Sequence, residues 1–396
     1  MEEVVIVSAA RTPFGRFGGA LKDFRAVELG GLAIREALRR AGIEGGSVDE
    51  TVFGMVVPAG QGQVPGRQAA VRGGIPHTVP AVTINKVCGS ALKAVSLGAQ
   101  IIKAGDAATI VAGGMESMSN IPYLSGQTRW GARMNDVVMK DAMVLDGLWC
   151  PENDVHMAVI GGAVAQEYGV TRRMQDEWAC RSQARWKAGE EKGAFDEERF
   201  PVEVSGRRGA VLVTKDEAPR PDTTLEGLER LEPLFVADGT VTAGNAPGTN
   251  DGASAVVLMS RRRAAELGAP VLAVIRGYAQ AARESRYIST VPGLAVQALM
   301  KKYDVGLERF DRIEINEAFA AVPLVSCLGV LGMSRQDMDE RVNVNGGAVA
   351  VGHPIGATGA RILMTLIYEL RRTGKKHGLA AICSGMAQGD AMWIEV

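Results

Sequence analysis

Cys88 stands where a side chain could take part in covalent chemistry. It lies between a short β-like run, residues 81–84, and a helical pattern that begins near Leu92 and ends at Gly105. We therefore expect Cys88 at or beside a helix N-terminus, where free NH groups and the helix dipole stabilise an anion and lower a cysteine pKa. A thiolate there would be a nucleophile, although a single cysteine is more often a small buried apolar residue.

The C-terminal part of the chain supplies the partners that such a thiol would need, each near the end of a predicted strand. His353, before Pro354 in a glycine-rich loop, could take the thiol proton because a histidine pKa lies near neutrality. Cys383 could act as an acid or base, or could be a core residue, and Gly385 offers a backbone NH to an oxyanion. Asn316 could fix a water molecule that donates to an enolate oxygen, or could only cap a following helix.

Two similar halves of the chain must position these residues. Strand-like and helix-like segments alternate over residues 1–119 and again, in the same order, over 269–396. This alternation predicts helices that cover a largely parallel sheet, with a strand at 341–344 among the C-terminal elements. The repeat aligns the loop of His353 with that of Cys88, so the two loops could face each other across a pseudo-two-fold axis.

The pattern changes over residues 120–244, which are rich in tryptophan and charge. A helix is predicted at 172–189 with Thr171 as its N-cap, and a Pro-rich polar stretch follows at 215–222. We interpret residues 120–244 as an insertion that packs on the sheet domains and helps to shape a binding site. Residues 245–268 then return the chain to the N-terminal half.

Composition narrows the classes of function. The chain has 396 residues, of which 46% are hydrophobic and 22% charged, and a net charge of -1, as in ordinary globular proteins. A nucleic-acid partner would call for a basic excess, and a membrane partner for a long apolar run, and we predict neither. Five cysteines without a close pair argue against a disulfide framework and a zinc site. Because the N-terminus is unlike a targeting peptide, we expect a cytoplasmic location.

Four motifs occur in order: Cys88-Gly89-Ser90, Asn316-Glu317-Ala318-Phe319, Gly352-His353-Pro354 and Cys383-Ser384-Gly385. Together they resemble the thiolases, the family of 3-oxoacyl-CoA thiolases and acetyl-CoA acetyltransferases, over nearly the whole chain. The resemblance implies an α/β fold with a duplicated five-layered α/β/α/β/α architecture and an inserted loop domain. It also implies a homodimer or homotetramer that acts in fatty acid metabolism.

The activity implied by the resemblance is that of an acyl-CoA C-acyltransferase. Such an enzyme cleaves 3-oxoacyl-CoA with coenzyme A, or runs the reverse Claisen condensation, through a covalent acyl-cysteine intermediate. Acyl-CoA and coenzyme A are then substrates, and we expect neither a separate cofactor nor a metal.

The resemblance also implies a role for each site residue. Cys88 would accept the acyl group, and His353 would activate Cys88 and form one oxyanion hole with a water held by Asn316. Cys383 would move a proton at Cα, and the NH groups of Cys88 and Gly385 would form the other oxyanion hole. Coenzyme A contacts are implied for Leu148, His156, Met157, Arg220, Phe235, Ala243, Ala318 and Phe319. Arg220 could bind the phosphates or adenine, or could simply be solvated.

Several positions depart from the family pattern. Pro247 stands where many members carry a serine that contacts the pantetheine arm, and residues 158–163 are small or apolar where a polar sequence is usual. Met386 and Ala387 replace a common Gly-Gly pair. These changes leave the acid and base groups intact but could reshape the acyl pocket.

Two alternatives remain open from the sequence. A condensing enzyme of the ketoacyl-synthase type shares the fold and the cysteine nucleophile, but lacks a second catalytic cysteine, so Cys383 favours a thiolase. A catalytically altered thiolase-like protein that only binds coenzyme A or lipid is the other alternative, since the loop departures would permit it.

Overall fold

The computed structural model describes residues 2–206 and 209–396. Strands and helices alternate along both the N-terminal and the C-terminal half of the chain. The strands are β1 (Val4–Arg11), β2 (Gly15–Arg16), β3 (Glu50–Gly54), β4 (Ala81–Ile84), β5 (Thr109–Ser117), β6 (Tyr123–Leu124), β7 (Lys140–Asp141), β8 (Trp149–Cys150), β9 (Val155–His156), β10 (Val202–Gly206), β11 (Gly209–Val213), β12 (Asn250–Ser260), β13 (Ala273–Ala282), β14 (Arg312–Ile315), β15 (His377–Ser384) and β16 (Gln388–Glu395). The helices are α1 (Ala26–Ala41), α2 (Pro65–Arg72), α3 (Ser90–Ala104), α4 (Met157–Glu167), α5 (Arg172–Glu191), α6 (Leu225–Glu229), α7 (Arg261–Leu267), α8 (Val291–Tyr303), α9 (Ala321–Leu324), α10 (Arg335–Arg341), α11 (Ala348–Val351) and α12 (Thr358–Thr373).

A mixed sheet of ten strands runs through both halves, in the order β14-β15-β16-β13-β1-β12-β5-β3-β4, with β2 beside β12. The prediction of a largely parallel sheet is wrong. Its ends are parallel, but every pair from β15–β16 across to β12–β5 is antiparallel. The tight turn at 385–387 explains one of these pairs, because a turn of that length can join only antiparallel strands.

The layers follow from the alternation of side chains along the strands. In β1, Val5 and Val7 pack with α1, while Val4 and Ile6 face an inner cluster that holds α3 and α12. Helices α3 and α12 pack against each other between the two halves of the sheet, and α8 covers the outer face of the C-terminal half. The order is therefore α/β/α/β/α, which confirms the predicted fold.

Local signals in the sequence have mixed outcomes. The helix predicted at 172–189 is confirmed as α5, and the hydroxyl of Thr171 accepts a hydrogen bond from the Met174 NH as predicted for an N-cap. The strand predicted at 341–344 is wrong. There, backbone pairing is limited to an isolated parallel bridge between Val342 and Ile313. Asn343 then adopts a positive φ of 44°, and its side-chain amide bonds both the NH and the carbonyl of Ile315.

In the described parts of the chain, each helix is too short or too polar to cross a membrane.

Candidate active site

Loops from both halves of the molecule meet in one cavity. Cys88 lies between β4 and α3, two residues before the first helical residue, Ser90. His353 follows α11, and Cys383 is the penultimate residue of β15. A cavity of about 220 Å³, here called the reaction cavity, is lined by Cys88, His353 and Cys383. The two thiols and the imidazole that the sequence singled out are therefore brought together.

The ring of His353 is held in one orientation by α12. Its Nδ1 lies 2.7 Å from the hydroxyl oxygen of Thr358, and that hydroxyl donates to the carbonyl of Pro354 at 2.9 Å. Because a hydroxyl has a single proton, Nδ1 must be the donor to Thr358. The proton-free nitrogen is then Nε2, so the structure aims a base into the site.

Asn316 faces the same nitrogen from the end of β14. Its side-chain amide nitrogen lies 3.4 Å from Nε2 of His353. Its backbone NH donates to the carbonyl of Ala381 at 3.0 Å. The side-chain oxygen of Asn316 is buried and has no hydrogen-bond partner among the residues that the structure describes. A buried amide oxygen in that state calls for a water molecule or a ligand group as its partner.

The loop of His353 depends on a close approach between Gly352 and Asn250, the first residue of β12. The NH of His353 donates to the side-chain oxygen of Asn250 at 2.9 Å, and the amide of Asn250 donates to the carbonyl of Gly15 at 2.8 Å. Gly352 has a φ of 99°, and a Cβ there would lie 2.3 Å from that oxygen of Asn250. Only glycine satisfies both conditions.

Burial keeps the reactive groups neutral. It raises the pKa of Cys88 to about 12, with a smaller contribution from the Glu116 carboxylate, and it lowers the pKa of His353 to about 3, with help from Arg361. The pKa of Cys383 is also raised, by burial and then by the charge of the nearby Cys88. The predicted lowering of the Cys88 pKa is therefore wrong, because desolvation outweighs the helix N-terminus.

Six of the eight predicted coenzyme A contacts line the reaction cavity: Leu148, His156, Met157, Phe235, Ala318 and Phe319. His156 caps α4 by accepting from the Ala158 NH, and its ring stacks on Phe235 with the ring centroids 4.0 Å apart. Pro247, the departure that replaces a common serine, also lines this cavity.

Arg220 and Ala243 lie farther out, in a surface cavity of about 330 Å³, here called the outer cavity. Arg220 donates to the carbonyl of Ala243 at 3.2 Å, and Arg16 lines the same cavity. Gly248 and Thr249 line both the outer and the reaction cavity, so the two are neighbours. Gly385 lines neither, but borders a third cavity behind the catalytic loops.

Sequence reasoning missed three residues that support the site: Thr358, Asn250 and Glu116. The carboxylate of Glu116 accepts from the NH groups of Val56 at 2.9 Å and Val57 at 3.2 Å, and burial raises the pKa of Glu116 to about 7. Thr358 could have been found from its position at the start of the helix that follows His353. Asn250, which lies 103 positions from its partner His353, left no signal in the sequence.

No group of three metal-ligating side chains is found within residues 2–206 and 209–396.

Comparisons with known proteins agree with this fold. Sequence profiles of the thiolase N-terminal domain and the thiolase C-terminal domain match residues 4–262 and 269–396. Acetyl-CoA acetyltransferases from Pseudomonas aeruginosa and Cupriavidus necator are each 48% identical to the chain, over 99% and 100% of both sequences. A crystal structure of the Bacillus anthracis acetyl-CoA acetyltransferase superimposes with a TM-score of 0.95 at 41% identity, covering 100% of this chain and 99% of that one.

The chain therefore belongs to the thiolase family, and it is an acyltransferase enzyme.

Proposed function

We propose that this enzyme cleaves 3-oxoacyl-CoA with coenzyme A, and catalyses the reverse condensation of acyl-CoA with acetyl-CoA, through an acyl group on Cys88. The observation that carries the proposal is the second thiol. Cys383 lines the same cavity as Cys88 and His353.

In the first step, the sulfur of Cys88 attacks the 3-oxo carbon, and the thiol proton passes to Nε2 of His353. The oxyanion so formed accepts hydrogen bonds from the NH groups of Cys88 and Gly385. This transfer accompanies substrate attack, because the raised pKa of Cys88 and the lowered pKa of His353 make a resting thiolate–imidazolium pair unfavourable.

In the second step, the bond between the 2- and 3-carbons breaks, which leaves an acyl group on Cys88 and the enolate of acetyl-CoA. The thiol of Cys383 protonates the 2-carbon, while protonated His353 and a water on Asn316 stabilise the enolate oxygen. The unpartnered oxygen of Asn316 supports this role, since a bound water would satisfy it.

In the third step, the thiol of coenzyme A attacks the acyl group on Cys88. Its proton goes to the Cys383 thiolate, and the released sulfur of Cys88 takes back the proton held by His353. All three groups return to their starting states, so coenzyme A acts as a substrate, and the proposed chemistry calls for no further cofactor.

We propose that residues 120–244 form a loop domain that holds coenzyme A across the two neighbouring cavities. Leu148, His156, Met157 and Phe235 would contact the pantetheine arm, together with Ala318 and Phe319 from the C-terminal half. At the outer end, Arg220, near Ala243, would contact the phosphates or adenine. An exposed guanidinium is suited to either contact.

We further infer a cytoplasmic enzyme of fatty acid metabolism that forms a homodimer or homotetramer. All five cysteines are free thiols, which suits a reducing compartment. Self-association is supported by the half-exposed edge strand β4 and by apolar side chains exposed between residues 123 and 139, including Trp130 and Met134.

Two rival functions make different predictions. A ketoacyl-synthase-type enzyme would have no use for a second thiol beside the nucleophile, and a silent coenzyme A-binding protein would have no turnover. Incubation with acetoacetyl-CoA and coenzyme A, followed by loss of the enolate absorbance, tests both. Absence of turnover with several 3-oxoacyl-CoA chain lengths would favour the binding protein.

The covalent step is tested with radiolabelled acetyl-CoA and denaturation of the trapped enzyme. Label should be found on Cys88, and Cys88→Ala should abolish it. Cys180→Ala, on α5 and away from the cavity, is the matched control and should retain the label. Label on any other residue would contradict the proposal.

The proton step is tested by exchange of the Cα hydrogens of acetyl-CoA with deuterated water. Cys383→Ala should suppress the exchange by at least about a hundredfold while acylation of Cys88 continues. Unchanged exchange would remove Cys383 from the mechanism.

A further inference from the structure

A second cavity of about 570 Å³, here called the side cavity, adjoins the reaction cavity and shares Met157 and Ile288 with it. It borders the catalytic loops on their other side, because Gly385 and Val87 both line it. In the proposed reaction, the NH of Gly385 bonds the oxygen of the acyl group on Cys88. The side cavity therefore lies next to the loop that would hold the oxygen of that acyl group.

The walls of the side cavity are mainly apolar, with Val56, Val87, Trp149, Pro151, Ile160 and Met386 among them. Its inner polar groups are already paired. Asn85 donates to the Val56 carbonyl and accepts from the Val87 NH, each at 2.9 Å, and Ser285 donates to Asn153 at 2.8 Å. Such a lining favours an apolar ligand that has no hydrogen-bonding groups.

The charge of the lining residues gives a second constraint on the ligand of the side cavity. Among the described residues that line the side cavity, Asp146 is the charged one, and it is exposed at the rim. An acyl chain that ends in a carboxylate would therefore lose its hydration without gaining a cationic partner. An uncharged hydrocarbon chain has no such cost.

The turn that borders the side cavity is strained in this chain. Met386 and Ala387 have φ values of 59° and 46°, in the left-handed region where glycine is favoured and where the family commonly has a Gly-Gly pair. The Met386 side chain lines the side cavity, whereas a glycine there would add no apolar surface. Strain of this kind is typically kept where it serves a site.

We propose that the side cavity binds the hydrocarbon chain of 3-oxoacyl-CoA substrates longer than acetoacetyl-CoA. This inference rests on the proposed function and names its substrate class. The chain passes from Cys88 between Met157 and Ile288, and the flexible Met157 side chain gives way to it.

The wild-type enzyme provides the first test. Thiolysis of acetoacetyl-CoA, 3-oxohexanoyl-CoA and 3-oxooctanoyl-CoA is compared by kcat/KM. Each buried methylene contributes up to about fourfold, so the two longer substrates should exceed acetoacetyl-CoA by about tenfold or more. 3-Oxoadipyl-CoA matches 3-oxohexanoyl-CoA in carbon number but ends in a carboxylate, and its kcat/KM should be at least about tenfold lower.

A variant that fills the side cavity provides the second test. Ile160→Trp on α4 places an indole where the chain is proposed to lie, and it should lower kcat/KM for 3-oxooctanoyl-CoA at least about tenfold while acetoacetyl-CoA changes less than about twofold. Ala163→Trp is the matched control, because Ala163 is exposed on the same helix. It should leave both substrates unchanged.

Failure of this inference can be told apart from failure of the proposed function. If acetoacetyl-CoA is cleaved but the longer substrates have a lower kcat/KM, the side cavity does not bind the chain. Equal losses for both substrates in Ile160→Trp would likewise overturn the inference. If no 3-oxoacyl-CoA is cleaved, the proposed function itself fails.

Discussion

The reactive side chains share one property, which is that burial holds each of them neutral. Cys88 and Cys383 have raised pKa values and His353 a lowered one, so nucleophile, acid and base rest as thiol, thiol and imidazole. If Cys88 rested as a thiolate, it would be open to alkylation and oxidation whenever substrate is absent. Neutral resting groups confine the charged forms to the time when an oxyanion hole is occupied.

Thr358→Val tests how His353 is oriented. The variant removes the oxygen that receives the Nδ1 proton, so Nε2 is no longer fixed as the base. We expect kcat to fall about tenfold to a hundredfold with little change in KM, and the pH profile of kcat to shift. Thr365→Val is the control, because Thr365 lies on the same helix but its hydroxyl donates to Glu198, away from the cavity. It should lower stability and leave kcat intact. Equal effects on kcat would show that Thr358 is merely structural.

The raised pKa of Glu116 predicts that the stability of the protein depends on pH. Its pKa is raised from 4.5 to about 7, chiefly by burial, so the native state binds its proton more tightly than the unfolded state. The stabilisation is complete below pH 4.5 and is lost as pH rises through 7, by about 3 kcal/mol. The free energy of unfolding of wild type relative to Glu116→Gln should therefore be larger at pH 5 than at pH 8. Glu44→Gln, on the exposed surface, is the control, and a difference independent of pH would contradict the expectation.

Among the secondary-structure elements, the ends of strands and short loops carry the site, while α12 and β12 fix them. The loop after α11 is held from one side by Thr358 at the start of α12 and from the other by Asn250 at the start of β12. The base is thus positioned by two elements that do not themselves enter the reaction.

Gly352→Ala tests the contact between this loop and β12. The new Cβ would meet Asn250 at 2.3 Å and also occupy a positive φ, so we expect a loss of at least about 2 kcal/mol in stability and a clear fall in kcat. Gly332→Ala is a matched control, since Gly332 has a φ of 66° but open space around its Cα. Its cost should stay near 1 kcal/mol, without an effect on kcat. Thermal unfolding and steady-state rates distinguish the two.

The molecule as a whole divides the site between its halves. Cys88, the proposed nucleophile, comes from the N-terminal half, while His353 and Cys383 come from the C-terminal half, and α3 packs on α12 between the two halves. Neither half contains a complete site, so the chemistry depends on the packing of the central layer.

The exposed apolar side chains between residues 123 and 139 predict self-association. Trp130 is 92% exposed and Met134 is 83% exposed, which is unfavourable in a monomer. We expect a dimer or tetramer by light scattering, and a smaller assembly for the double variant Trp130→Asp, Met134→Asp. Val211→Asp is the control, because Val211 is also exposed but lies on the β10–β11 hairpin. A monomeric wild type would contradict this prediction.

Local patterns were enough to predict much of the fold and three residues that meet in the reaction cavity. The edge strand β4 and helix α5 begin where the sequence indicates, since apolar periodicity and capping residues act over a few positions. Motifs around Cys88, His353 and Cys383 pointed to the family for the same reason. The strand predicted at 341–344 failed, because a single amide of Asn343 replaces the ladder.

The sequence alone could not predict the environment of each reactive side chain. The pKa of Cys88 was expected to be lowered by its helix and is raised instead, because desolvation depends on every element packed around it. The direction of the central strands, the support from Asn250 and the side cavity likewise arise from contacts between distant residues. The sequence therefore specified the candidate reactive residues, while three-dimensional packing set their protonation, their orientation and the space beside them.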